Sequence, residues 1–135
     1  MARKKKIVLV GGCFDILHFG HIYFLKKAKK LGDILVVALE SDENTKKLKG
    51  PKRPIHKQKQ RKKMLEALRF VDQVICLPDR PDYEQLVRKV NPQIIAVTSG
   101  DPKLKEKRRQ AQLVGAKIVV IPKIKTPSTT QIIAR

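Results

Sequence analysis

The sequence predicts an α/β domain built on a five-stranded parallel sheet with helices on both faces. Short β-branched runs recur along the whole chain, amphipathic stretches of helical period separate them, and Gly, Pro or Asp stand where the period changes. Strands joined through helices in this way lie parallel, with right-handed crossovers. A length of 135 residues fits one domain over residues 1–135, and no internal repeat or linker interrupts it.

The first strand is residues 7–10, Ile-Val-Leu-Val. A Gly-containing turn leads into a helix over 20–31, whose apolar stripe is Phe24, Leu25, Ala28 and Leu31 and whose lysines face outward. Gly32 is expected to cap its carboxyl end. Residues 34–39 form a continuous apolar run, as a strand covered on both faces requires. Residues 46–63 then hold ten Lys or Arg and no carboxylate. They open as a Gly/Pro loop, and a helix over 57–69 follows with Met64, Leu65 and Leu68 inward.

A third strand lies within 71–77, a helix opened by Asp82 runs over 81–90, and the fourth strand is 93–98. Asp101 and Pro102 read as the N-cap and first position of a helix reaching Val114. Gly115 stops that helix, 117–121 is the fifth strand, and Ser128 opens a last short helix.

Lys and Arg number 31 against 12 Asp and Glu, a formal charge of +19. This excess implies an anionic partner: nucleic acid, an acidic membrane surface or a small polyphosphate. Many of these side chains are also simply solvated helix faces. Only 4% of residues are aromatic and Trp is absent, which supplies few base-stacking groups, so charge alone does not decide and a nucleic-acid-binding protein stands as the alternative of another class. The run 34–39 is far shorter than the roughly 20 apolar residues that cross a bilayer. The basic start is followed by too short an apolar stretch for a secretory signal, so a cytoplasmic location is expected. Cys13 and Cys76 make no CxxC pair and support neither a disulfide framework nor a four-cysteine zinc site.

Ligands of open parallel sheets bind at the carboxyl ends of the strands. Here the first strand runs into Gly11-Gly12-Cys13-Phe14-Asp15-Ile16-Leu17-His18-Phe19-Gly20-His21. Gly11 and Gly12 are expected to permit positive φ and close backbone approach, forming an anion-binding turn. His18 and His21 stand three apart at a helix start, where free N–H groups and the helix dipole favour phosphate, and Gly20 leaves room for its oxygens. Two imidazole donors and the helix amides then converge on one polyphosphate. GxGxxG and GxxxxGK[ST] are both absent. A metal site recruiting His18, His21 and either Cys13 or Asp15 lacks closed-site ligand spacing. The plain structural alternative has the two histidines capping the turn.

The stretch GGCFDILHFGH resembles the G-x-F-D-x-x-H-x-G-H signature of the cytidylyltransferase-like nucleotidylyltransferases. Further matches run nearly end to end: AKKLGDILVVALESDE, the lysine loop Thr45 to Gly50, Gln60-Arg61 to Met64, Ala67 to Asp72, Ser99-Gly100-Asp101 and Ser128-Thr129-Thr130. Similar members are glycerol-3-phosphate cytidylyltransferase, the adenylyltransferase domain of ADP-heptose synthase and archaeal FAD synthase. The resemblance implies a Rossmann-like domain and transfer of AMP or CMP from ATP or CTP to the phosphate of a small metabolite, with Mg2+ on the triphosphate.

On the matching positions, His18 and His21 would hold the α and β phosphates. Lys46 and Lys49 would neutralise the acceptor phosphate and the α-phosphate, and Ser128 and Thr129 would bind the departing phosphates, with Thr130 beside them. Asp101 and the backbone of Gly11, Gly12, Cys13 and Phe14 would read ribose and base, and Asp15 would contribute indirectly to the Mg2+ on the triphosphate. Arg61 and Lys123 would meet the acceptor. Asp72 resembles a position near the family's subunit contact, which implies a homodimer. The chain departs from the pattern at Cys13, at Lys123 where some members have Arg, at Pro127 and at Pro102. These positions bear on the acceptor and on the choice of ATP or CTP.

Overall fold

The computed structural model describes residues 4–125. Its strands are β1 (Ile7–Gly12), β2 (Ile34–Leu39), β3 (Gln73–Cys76), β4 (Ile94–Thr98) and β5 (Lys117–Ile121). Its helices are α1 (Phe19–Lys30), α2 (Asp42–Lys49), α3 (Gln58–Glu66), α4 (Tyr83–Val90) and α5 (Leu104–Val114). The sheet is parallel in the order β3-β2-β1-β4-β5, the Rossmann-like α/β architecture expected from the alternating pattern.

Because successive strand residues point to opposite faces, β1 and β2 feed two separate cores. Val8, Val10, Leu35 and Val37 pack with Leu25 and Ala28 of α1 and Leu65 of α3. Leu9, Val36 and Ala38 pack with Val87 of α4 and Ala111 of α5 on the other face. Leu25 and Leu65 are completely buried, so truncating either to Ala would cost about 2–5 kcal/mol.

The order of the strands reverses between β1 and β4. β1 pairs with β2 from Ile7 to Gly12 but with β4 only at Val8 and Leu9. The two strands therefore part beyond Leu9 and Ile95, and a crevice opens at the carboxyl edge, where this class of sheet takes its ligands.

Four local expectations change. The stretch opening at Lys46 is not all loop: residues 42–49 form α2, capped by the Ser41 hydroxyl on the Asn44 N–H at 3.1 Å. Asp42 and Glu43 in its first turn and Lys46, Lys47 and Lys49 in its last complement the helix dipole. The carboxyl cap of α1 is Leu31 rather than Gly32. Gly32 is needed for space, since a Cβ there would stand 2.7 Å from the Lys6 carbonyl oxygen. The N-cap of α5 is Lys103, because Asp101 instead accepts the Lys103 N–H in a turn ahead of the helix. The α3 helix spans 58–66, shorter than the 57–69 expected. The helix expected from Ser128 lies outside the described residues, as do Ser128, Thr129 and Thr130 themselves.

Candidate active site

The turn leaving β1 is shaped by Phe14, whose φ of 46° is the left-handed backbone conformation that Gly11 and Gly12 were expected to supply. Gly12 serves this turn differently: a Cβ on it would meet Phe14 Cε2 at 2.8 Å, so the missing side chain makes room for the ring. Phe14 is buried and meets the His21 ring edge-on, with centroids 5.3 Å apart. The strained residue thus forms the wall against which His21 rests.

His18 is the N-cap of α1, and its Nδ1 accepts the Gly20 N–H at 3.1 Å. The His18 N–H in turn points to His21 Nδ1 at 3.4 Å. The capping role offered as the plain alternative is therefore real, but it uses only Nδ1 of His18, whereas the His21 ring also bonds the Ile16 backbone. With Nδ1 of His18 accepting, its neutral ring carries the proton on Nε2, a donor orientation suited to an anion.

The two rings stack at a centroid distance of 3.9 Å and an interplanar angle of 27°. Burial lowers the His21 pKa to about 4, helped by His18 and by the charge of Lys49, while the Ile16 backbone opposes the shift. Burial and Lys49 lower His18 as well. Both rings are neutral at pH 7, beside a lysine whose field reaches them from the last turn of α2.

Buried ionic contacts fasten this turn to its surroundings. Asp15 accepts the Ile55 N–H at 2.8 Å and the His56 N–H at 3.0 Å, and pairs with Arg53 Nε. Burial alone would raise its carboxyl, but the His56 and Ile55 amides and Arg53 outweigh burial and hold the pKa below the usual carboxylate value. Asp15 is thus a staple between the β1 turn and the segment following α2.

Arg61, expected at the acceptor, is instead completely buried. It donates to the carbonyls of Cys13 (2.7 Å), Glu40 (3.0 Å) and His56 (3.0 Å) and to Asp42 Oδ1 (2.7 Å). The guanidinium fork suits this task, because its fixed donors can serve several backbone segments at once.

At the end of β2, the Glu40 carboxylate accepts the Tyr83 hydroxyl at 2.7 Å and Asn44 Nδ2 at 3.3 Å. Burial and Glu40 together raise the phenol pKa well above its ordinary value, keeping Tyr83 a donor. Burial also pushes the Cys13 thiol up, against the Thr45 hydroxyl and the charge of Lys49.

The structure therefore gathers Cys13, Phe14, His18, His21 and Lys49 around one turn. Gly11 and Gly12 end β1 beneath them, and Gly20 donates to the His18 ring. Lys46 is exposed one turn before Lys49 on α2. Asp101 stands after β4, where Lys103 N–H and Lys107 Nζ each approach its carboxylate at 2.7 Å. Lys123 is exposed, and its N–H donates to Ser99 Oγ at 3.0 Å, placing it with the β4 and β5 ends rather than beside α2. Asp72 pairs with Lys29 and accepts the Leu35 N–H, ties within the chain. Sequence reasoning missed Arg53, Glu40, Asn44 and Tyr83. The position of Glu40 directly after an apolar strand was the available signal for one of them.

The His18–His21 turn thus lies at the switch point of a parallel sheet, the place where α/β domains of this class bind their ligands. The chain belongs to the cytidylyltransferase-like family, whose model matches residues 9–135. It is 43% identical over 137 residues to the bifunctional protein HldE of a Nitratiruptor species, covering 98% of this chain and 28% of that protein. The HldE of Campylobacter concisus is 43% identical over 136 residues, with 98% and 27% covered. The chain thus spans under a third of the length of these relatives. A solved structure of the lipopolysaccharide core biosynthesis protein from Thermoplasma volcanium superposes with a TM-score of 0.75 at 31% identity, covering 91% of this chain and 99% of that one. Pantoate-beta-alanine ligase from Francisella tularensis shares the fold at a TM-score of 0.68 and 17% identity, with 94% and 62% covered. No helix among the described residues is long and apolar enough to cross a membrane.

Proposed function

We propose that this domain transfers an adenylyl group from ATP to the phosphate of a heptose-type sugar phosphate and releases pyrophosphate. The observation that carries the reading is the neutral, stacked His18–His21 pair at the amino end of α1, with His18 Nε2–H free of the capping role and Lys49 adjacent. Such a constellation binds phosphate without a protein nucleophile. The 43% identity to HldE proteins and the resemblance to the adenylyltransferase domain of ADP-heptose synthase support ATP and a sugar phosphate over CTP and glycerol phosphate.

In the proposed reaction an acceptor phosphate oxygen bonds to the α-phosphorus as the bond from that phosphorus to the β-bridging oxygen breaks, and the electron pair leaves on pyrophosphate. His18 donates from Nε2 to the triphosphate, with His21 supporting it, and Lys46 and Lys49 offset the charge of two approaching phosphates. Ser128 and Thr129 receive the leaving phosphates, with Thr130 next to them. Asp101 and the backbone from Gly11 to Phe14 face ribose and base, and the end of β5 near Lys123 lies on that same side.

Mg2+ belongs to this proposal as the companion of the triphosphate, where it neutralises phosphate oxygens. The donor set fits that form of binding. Asp15 is spent on Arg53, Ile55 and His56, and no group of three or more His, Cys, Asp or Glu among the described residues is gathered to cage an ion. The phosphate oxygens themselves then supply much of the coordination, as is usual for Mg2+.

Pyrophosphate release, measured with ATP or CTP against a panel of phosphorylated metabolites including heptose 1-phosphate, tests the reading. Release with ATP and a sugar phosphate supports it. Release only with CTP and glycerol phosphate, or only with ATP and FMN, would replace it with one of the other family activities.

A further inference from the structure

The geometry points to Glu40 as the residue that recognises the hydroxyl groups of the acceptor, selecting a polyhydroxylated phosphate ester over an apolar one. This rests on the transfer reading and adds the chemistry of the acceptor's body.

Residues 46–63 hold ten Lys or Arg and no carboxylate, and they begin within α2, the helix that follows β2. Glu40 comes directly after β2 and sets a carboxylate ahead of that stretch, at the carboxyl edge of the sheet. Its main chain is fixed from both sides: its N–H donates to the Gly12 carbonyl at 3.0 Å, and its carbonyl accepts Arg61 Nη1 at 3.0 Å. Its side chain is aimed by Tyr83 from α4 and Asn44 from α2, one donor on each oxygen. Its bond to Gly12 sets it beside the end of β1, and Asn44, which holds its carboxylate, belongs to the same short helix that Lys49 closes. The carboxylate and the phosphate-directed lysine therefore flank one turn.

A carboxylate is a poor neighbour for a phosphate and a good one for hydroxyl groups. With one donor on each oxygen, further lone pairs remain on both, enough to accept from hydroxyls carried a few bonds beyond a phosphate on Lys49. Hydrogen bonds to a charged acceptor are stronger than neutral ones. The same charge repels a phosphate ester that has nothing to donate. Glu40 thus acts in opposite directions on the two kinds of ester, which a residue that merely tied α4 to β2 would not do.

The test compares binding of D-mannose 1-phosphate and n-butyl phosphate to the full chain holding Mg2+ and an ATP analogue whose α–β bridge cannot be cleaved, by calorimetry. The Glu40→Gln variant keeps the size of the side chain and an oxygen for Tyr83. It is expected to bind mannose 1-phosphate about tenfold more weakly and butyl phosphate equally or more tightly. Tyr83→Phe, which removes the tie and keeps the carboxylate, is expected to change mannose 1-phosphate binding less than threefold. Equal weakening of both esters by Glu40→Gln, or matching losses in the two variants, would overturn the assignment and leave Glu40 a structural tie. Unchanged preference for the sugar ester would overturn it as well. Pyrophosphate release by the wild type tests the transfer reading separately, because the binding comparison requires no turnover.

Discussion

His18 and His21 lie with their ring centroids 3.9 Å apart, and each ring turns its Nδ1 to a backbone N–H. Burial disfavours a proton on either ring and the charge of Lys49 adds to it, so both shifts favour the neutral imidazole. On the proposed reading, removing either ring takes away part of a preorganised phosphate-binding turn. His18→Ala or His21→Ala should lower turnover by a hundredfold or more, equivalent to roughly 3 kcal/mol in the transition state, with the fold intact by circular dichroism. Wild-type rates in both variants would place the site elsewhere.

The same pair makes stability depend on pH with a definite sign. The folded His21 pKa of about 4 lies below the unfolded value of 6.5, so between these limits the unfolded chain binds the proton first. Stability contributed by the neutral ring is complete above pH 6.5, falls as the pH drops towards 4, and changes no further below that. The loss is about 3 kcal/mol at most. Urea denaturation of the wild type and His21→Gln at pH 7, 5.5 and 4 isolates this contribution as a difference that widens against the wild type as the pH falls. A pH-independent difference would mean that the ring titrates normally in the folded chain.

Arg61 joins the β1 turn, the end of β2, α2 and the segment before α3 through one guanidinium. Replacing it by Met would take the guanidinium from three carbonyl oxygens and from Asp42, which keeps only the Gln58 N–H on that oxygen, at a cost of about 3 kcal/mol or more. Arg61→Lys should recover only part of this, since one ammonium cannot reach all four partners. Denaturation midpoints order the three proteins, and a loss below about 1 kcal/mol for Arg61→Met would show that the network contributes little in solution.

The reach of the sequence is clearest where it stopped. The sheet and its flanking helices were legible because β-branched runs and the stripe Phe24, Leu25, Ala28 announce buried faces. The α2 helix was not, because Thr45 is its one buried residue and a helix without an apolar stripe gives periodicity nothing to detect. Its capping serine, acidic first turn and basic last turn were the signals available. Proximity to the lysine loop makes Arg61 look like a ligand group. Its spacing of four from Leu65 puts it on the buried stripe of α3, and that spacing is the better guide. Glu40 and Tyr83 meet across 43 positions, a relation that only the fold creates.

Position along the lysine-rich stretch matters more than charge. Lys49 acts on both histidines and on Cys13, whereas Lys57 is an exposed N-cap residue of α3. Lys49→Ala should therefore reduce turnover at least tenfold, and Lys57→Ala less than twofold. Equal effects would mean that residues 46–63 act as a diffuse positive field, and a steep salt dependence of RNA or DNA binding would then become the property to measure.

On the proposed reading the nucleoside meets the loops on the β4 and β5 side of the crevice. Asp101 presents a carboxylate already held by Lys103 and Lys107, and Ser99 presents a hydroxyl already bonded to the Lys123 N–H. A carboxylate fixed in this way can still accept from a ribose hydroxyl, which ATP and CTP share, so on the proposed reading Asp101 would fasten the nucleoside without choosing its base. Base selection would then fall to the space where β1 and β4 part beyond Leu9 and Ile95, in which a larger purine would bury more surface. Side-by-side calorimetric titration with Mg2+ is expected to show tighter binding of ATP than of CTP. Asp101→Asn should weaken both nucleotides by a similar factor, about three- to tenfold, because it alters the shared ribose contact. A tenfold preference for CTP, or a loss confined to one nucleotide in Asp101→Asn, would show that this loop reads the base.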